Sequence, residues 1–144
     1  MNLSDAKTEL KNILFDFGGV ILNIDFSLTV EAFRELGIPE FESVFSKFKQ
    51  DNFMQDFERG IHPPDAFYAY IKKLANANMS DLQVQHAWNA LLLDYPQNRI
   101  KLLKALSKKY GLFLLSNTNA IHYEAFQKDF TAQFGFAFDT LFTA

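Results

Sequence analysis

The chain of 144 residues has the size of one ordinary domain and is long enough to bury a core. With 49% hydrophobic and 22% charged residues it is no disordered segment, and with no cysteine it forms no disulfide, thiolate metal site or cysteine nucleophile. A net charge of −3 with 14 dispersed basic residues argues against a nucleic-acid partner, and no apolar run reaches the ~18 residues of a membrane span.

The N-terminus carries no signal-peptide core, so a soluble, cytoplasmic protein is the expectation. In chain order, the first apolar run is Asn12-Ile13-Leu14-Phe15, which stops at Asp16. It does not alternate, as expected for a parallel strand covered on both faces. From 26 to 93 the periodicity is helical with little strand signal. Phe67, Tyr70, Ile71 and Leu74 share a face after the turn at His62-Pro63-Pro64. Ser80-Asp81-Leu82-Gln83 is a capping box leading into Leu82, Val84, Ala87, Trp88, Leu91 and Leu92. This stretch reads as a bundle of about four helices placed after the first strand.

A further helix has Pro96 in its first turn and a stripe of Ile100, Leu103 and Leu106. Lys108 and Lys109 suit its C-terminal dipole, and Gly111 its left-handed cap. The basic residues of 101–109 thus belong to a solvated helix face. A second strand, Leu112-Phe113-Leu114-Leu115, stops at Ser116-Asn117, and Thr118 or Asn119 caps a helix over 120–130. The tail, 135–144, holds one strand-like piece. Helix, strand, helix over 94–130 is one unit of a doubly wound α/β sheet. The 17 phenylalanines are spread along the chain, which points to Phe-rich packing layers.

Two segments carry possible chemistry. In Phe15-Asp16-Phe17-Gly18-Gly19-Val20 an acidic side chain ends a buried strand, which is costly unless something uses it. The glycines let backbone approach a ligand, although a Gly-Gly turn hydrogen-bonded by Asp16 explains the hexapeptide equally well. In Ser116-Asn117-Thr118-Asn119, short polar side chains open a helix, as in an anion cradle; helix capping alone accounts for one of them. Two parallel strand ends face one crevice, so a carboxylate and a cradle there suit in-line attack on phosphorus.

With these segments in view, the chain resembles the haloacid dehalogenase superfamily. Phe-Asp-Phe-Gly-Gly-Val, a helical insertion and Leu-Ser-Asn-Thr-Asn are similar to that superfamily's first two motifs in order, over about residues 12–143. The nearest branch is that of sugar-phosphate phosphatases resembling bacterial glucose-1-phosphate phosphatase, which share Ile24-Asp25-Phe26 and Ser-Asn-Thr-Asn. The resemblance implies a Rossmann-like three-layer core with a parallel, truncated sheet over 1–25 and 94–144, and an α-helical cap over 26–93. It implies a magnesium-dependent phosphatase acting on a small phosphorylated metabolite through an aspartyl-phosphate intermediate. Asp16 would be nucleophile and Mg²⁺ ligand, the Gly18 carbonyl a second ligand, and Ser116 with the Asn117 amide the phosphoryl grip.

Two departures temper those expectations. Many members carry a second Asp at the position of Gly18 to handle a proton; Asp25 is nearby in sequence but reads better as a helix cap or turn residue. The superfamily's lysine and its acidic pair have no match, and the chain contains no two adjacent acidic residues. One carboxylate and one carbonyl hold a hard divalent cation poorly, since it takes about six oxygens. The 144-residue chain is therefore expected to be an inactive fragment, prone to self-association through an apolar sheet face. Carbon–halogen hydrolysis, or a non-catalytic binding module on the same fold, are the rival readings. His62, His86 and His122 lack metal-ligand spacing and read as structural or solvated, Trp88 as cap core, and Glu58 and Arg59 as an exposed helix end.

Overall fold

The computed structural model describes residues 10–76, 78–134 and 140–143. Three short parallel strands form one sheet in the order β1 (Asn12–Phe15), β2 (Gly111–Ser116), β3 (Thr140–Thr143). Between β1 and β2 lie six helices: α1 (Phe26–Glu35), α2 (Phe41–Gln50), α3 (Asn52–Glu58), α4 (Pro64–Ala75), α5 (Asp81–Asn89) and α6 (Gln97–Leu106). Helix α7 (Ala120–Phe134) connects β2 to β3. The α/β class and the two strand ends stand as the sequence indicates. Five helices, not four, occupy the segment between 26 and 93. No helix among the described residues is long and apolar enough to cross a membrane.

Local chemistry explains most boundaries. Asp25 caps α1, its carboxylate accepting from the Ser27 amide at 2.9 Å and the Ser27 hydroxyl at 2.6 Å. The Ser27 hydroxyl holds that carboxyl below the usual range, and Asp25 does not line the crevice at the strand ends. Ser80 and Gln83 close the capping box of α5. Helix α6 closes at Ser107, whose amide bonds the Leu103 carbonyl at 2.9 Å. Gly111 is thus no helix cap: turns over 107–109 finish the helix, and Gly111 opens β2 by donating to the Lys11 carbonyl at 2.9 Å.

Two cores result. Helices α1–α5 enclose a chain of rings. Phe33 and Phe41 stack at 4.1 Å, Phe57 and Phe67 at 4.6 Å, and Phe67 and Phe45 lie against Trp88 at 4.8 and 5.6 Å. The expected aromatic layers are there, whereas Leu82 stays on the solvent side of α5 and Val84, Ala87 and Trp88 face inward. The second core joins Phe17, Ile21 and Leu22 to Leu112 and Leu114 of β2, Ile100 and Leu103 of α6, and Phe126 and Phe130 of α7.

Burial along β2 alternates, contrary to the expectation of strands covered on both faces. Leu112, Leu114 and Ser116 are buried, whereas Leu115 is 43% exposed and Leu14 on β1 60% exposed. Side chains of α6 and α7 share a cluster with the first face, and among the described residues no helix covers the second. The two connections of the helical segment run antiparallel and are zipped together. Ile24 bridges Leu92, the Asn23 amide donates to the Asp94 carbonyl (3.0 Å), and the Asp25 amide donates to the Leu91 carbonyl (2.9 Å). Arg99 adds a 2.9 Å bond to the Asn23 side chain.

Candidate active site

Phe15 is level with Leu114 across the β1–β2 ladder, so one step on Asp16 stands beside Leu115 and a further step reaches Ser116. Strands in a ladder lie about 4.8 Å apart, which brings the two polar ends to one edge of the sheet. There a crevice of about 240 Å³ is lined by Asp16, Gly18, Ser116, Asn117, Thr118 and His122, with Phe17, Leu22, Ile24, Leu91, Leu92 and Phe126 as apolar wall. All four residues singled out at the strand ends therefore meet in one place.

Asp16 is exposed, and its Oδ1 accepts from the next amide, Phe17 N–H, at 2.7 Å. That short bond steadies the carboxylate while leaving it at the crevice rim. The loop then winds tightly: the Phe17 carbonyl accepts from the amides of Val20, Ile21 and Leu22, and the Gly19 amide donates to the Leu22 carbonyl at 2.8 Å. Gly19 sits at φ +77°, a conformation glycine adopts without strain. Gly18 is different. Its φ is ordinary, and an added Cβ would meet only the Ile24 side chain, at Cδ1 (3.5 Å) and Cγ2 (3.9 Å), so sterics do not demand a glycine there.

Ser116 is 4% exposed, yet its hydroxyl is neither hydrogen-bonded to a described residue nor sealed from solvent. It opens onto the crevice. Asn117 is exposed beside it, and α7 begins three residues further on. Asn119 caps that helix, its Oδ1 accepting from the His122 amide at 3.1 Å and from the Trp88 indole at 3.4 Å. This turn lines the crevice immediately before a helix start, the position whose backbone amides suit an anion.

The crevice also holds His122, which sequence spacing alone did not place there. Its ring stacks on Trp88 at 5.1 Å and 5°, and its Nδ1 lies 2.8 Å from Asn89 Oδ1. Burial lowers its pKa to about 4, so the imidazole is neutral. The signal was available: side chains in the first turn of a helix lean back over its N-terminus, and His122 is the third residue of α7. The other singled-out residues lie elsewhere. His62 stacks on Phe53 at 4.4 Å and His86 is exposed, whereas Trp88 is buried in the helical core. Glu58 and Arg59 end α3 as expected, and they also border a second crevice with Thr118, Asn119 and Tyr123.

The donor set tests the fit of a magnesium ion. Among the described residues no group of three or more His, Asp or Glu side chains is placed to hold a metal. The Asp16 carboxylate and the Gly18 carbonyl are hard oxygens of the right kind, but they fill a minority of the about six positions such an ion requires. The described residues do not form a complete magnesium site.

No family model matches the chain. It is 33% identical over 110 residues to D-ribitol-5-phosphate phosphatase of Bacteroides thetaiotaomicron, an alignment that covers 76% of this chain and 53% of that protein. The chain thus spans about half the length of this curated relative. A crystal structure of a HAD family enzyme from the same organism superposes with a TM-score of 0.84 at 33% identity, covering 92% of this chain and 68% of the other. A complex of that enzyme with magnesium and inorganic phosphate gives a TM-score of 0.83 at 33% identity, with the same coverage of 92% and 68%. Fold, strand-end geometry and these likenesses agree: the chain belongs to the haloacid dehalogenase (HAD) family.

Proposed function

We propose that this chain carries the nucleophile and the anion grip of a HAD-type phosphatase for a small phosphorylated metabolite, with Mg²⁺ as its cation. The observation that carries the reading is the shared crevice of Asp16, Ser116 and Asn117. An Asp16 oxygen attacks phosphorus, the phosphorus–oxygen bond to the alcohol breaks, and the alcohol oxygen leaves with the electron pair and takes a proton from water. The Ser116 hydroxyl and the Asn117 amide hold the phosphoryl oxygens, placing phosphorus next to the carboxylate. Water then hydrolyses the aspartyl phosphate. The similarity to a ribitol-5-phosphate phosphatase supports a polyol phosphate as substrate.

The helical residues 26–93 act as a cap over a core of 1–25 and 94–144. Their support is the zipped pair of connections at Ile24 and Leu92, together with the separate aromatic core. Because Asp16 and Gly18 supply only two metal oxygens, the chain by itself turns over little. The test compares the chain with a chimera in which the uncovered, roughly one-third remainder of the Bacteroides HAD enzyme follows residue 143. The expected result is magnesium-dependent release of phosphate by the chimera and near-background release by the chain. Asp16→Asn should lower the chimera's kcat by roughly 10³-fold or more. Equal turnover by chain and chimera overturns the inactivity, and turnover that survives Asp16→Asn overturns the phosphatase reading.

A further inference from the structure

Of the side chains that line the crevice, only Asp16 and His122 exchange protons readily. Gly18 has no side chain to do so. Hydrolysis of an aspartyl phosphate needs an acceptor for the proton of the attacking water, and Asp16 itself is the leaving carboxylate in that step. His122 has the right state for the task. The Asn89 side-chain oxygen can only accept, so the 2.8 Å contact puts the ring proton on Nδ1 and leaves a lone pair on Nε2. That nitrogen has no partner among the described residues, and it is not among the buried atoms shut off from solvent. The parallel Trp88 ring at 5.1 Å and the Asn89 contact fix the plane of the imidazole. The ring therefore carries an unused acceptor, at fixed orientation, on a side chain that lines the crevice.

We propose that His122 is the proton acceptor of the second half-reaction, an assignment that rests on the phosphatase reading above. The water oxygen bonds to phosphorus, the bond from phosphorus to the Asp16 oxygen breaks, and its electron pair returns to the carboxylate. The water proton passes to His122 Nε2, and the imidazolium then releases it to bulk water. Two acidic groups share crevice walls with the ring: Asp16 on one side and Glu58 on the other, while Trp88 and Asn89 of α5 are neutral. A phosphoryl anion bound between Ser116 and the ring adds negative charge and raises the basicity of Nε2 when it is needed.

The three histidines of the chain permit a direct test by nitrogen NMR on the ¹⁵N-histidine-labelled protein, with His122→Gln for assignment. The free chain should show the Nδ1–H tautomer at His122. Magnesium with inorganic phosphate should shift its Nε2 resonance saturably and raise its pKa by one unit or more, with His62 and His86 unmoved. Asn89→Ala should mix the tautomers. Ser116→Ala should abolish the phosphate response. If phosphate binds in a Ser116-dependent way and Nε2 does not respond, or the pKa stays at its low value, the assignment falls and the phosphatase reading stands. If saturating phosphate with magnesium binds neither the chain nor the chimera, the anion grip itself is refuted, and His122's role with it.

Discussion

The helical half and the sheet half of the molecule are built for different ends. Around α1–α5 the core is a run of touching rings, from Phe33 and Phe41 to Phe67 and Trp88, and its one buried polar side chain of note, Thr29, is bonded to the Trp88 carbonyl at 3.3 Å. Around β2 the core is thinner, its second face is open at Leu14 and Leu115, and its edge carries exposed Asp16 and a hydroxyl without a partner among the described residues. Packing is concentrated away from the proposed site, and polar groups without partners among the described residues collect at it. Besides the zipped connections, the halves join through α5 and the start of α7: Ile121 is buried in the helical core while His122, next in sequence, lines the crevice.

That contrast can be broken from the side of packing first. Phe67→Ala, which removes a fully buried ring touching Phe57 and Trp88, should cost about 3–5 kcal/mol in chemical denaturation. A loss under about 1 kcal/mol would show that the helical core is looser than its ring contacts indicate. The adjacent glycines of the Asp16 loop sharpen it at intermediate size. Gly19→Ala, at φ +77°, should cost roughly 1–2 kcal/mol, whereas Gly18→Ala should cost no more than about 0.5 kcal/mol. Equal costs would mean that close approach, not backbone conformation, keeps the pair. The smallest effect belongs to the open face. Leu14→Lys on the edge strand should change stability by at most about 0.5 kcal/mol, yet lower the self-association seen by sedimentation. A large loss of stability there would show that the face is covered after all.

The parts that were legible are those where a local rule acts alone. The Ser80 capping box, the Asp25 cap and the strand stops at Asp16 and Ser116 follow from residue type and spacing, and each appears in place. Two judgements failed for a shared reason. Gly111 suits a helix cap by composition, yet the carbonyl of Lys11, just before the neighbouring strand, takes its amide into the ladder. The run Leu112-Phe113-Leu114-Leu115 looks uniformly buried, yet only one of its faces meets α6 and α7. In both, the deciding partner lies far away in sequence. The structural reading of His122 stands, since its ring is stacked on Trp88 and bonded to Asn89; that it also lines the crevice depends on those partners some thirty residues upstream.

Residue order by itself determined that a carboxylate would end one strand and a hydroxyl-amide turn another, since apolar runs terminate where polar side chains must reach water. Tertiary structure alone decided that these ends are neighbours, through the parallel register of Phe15 with Leu114. It also decided that a histidine fixed by a distant helix completes their crevice. Side-chain chemistry is carried by each residue, whereas proximity is a property of the packed chain.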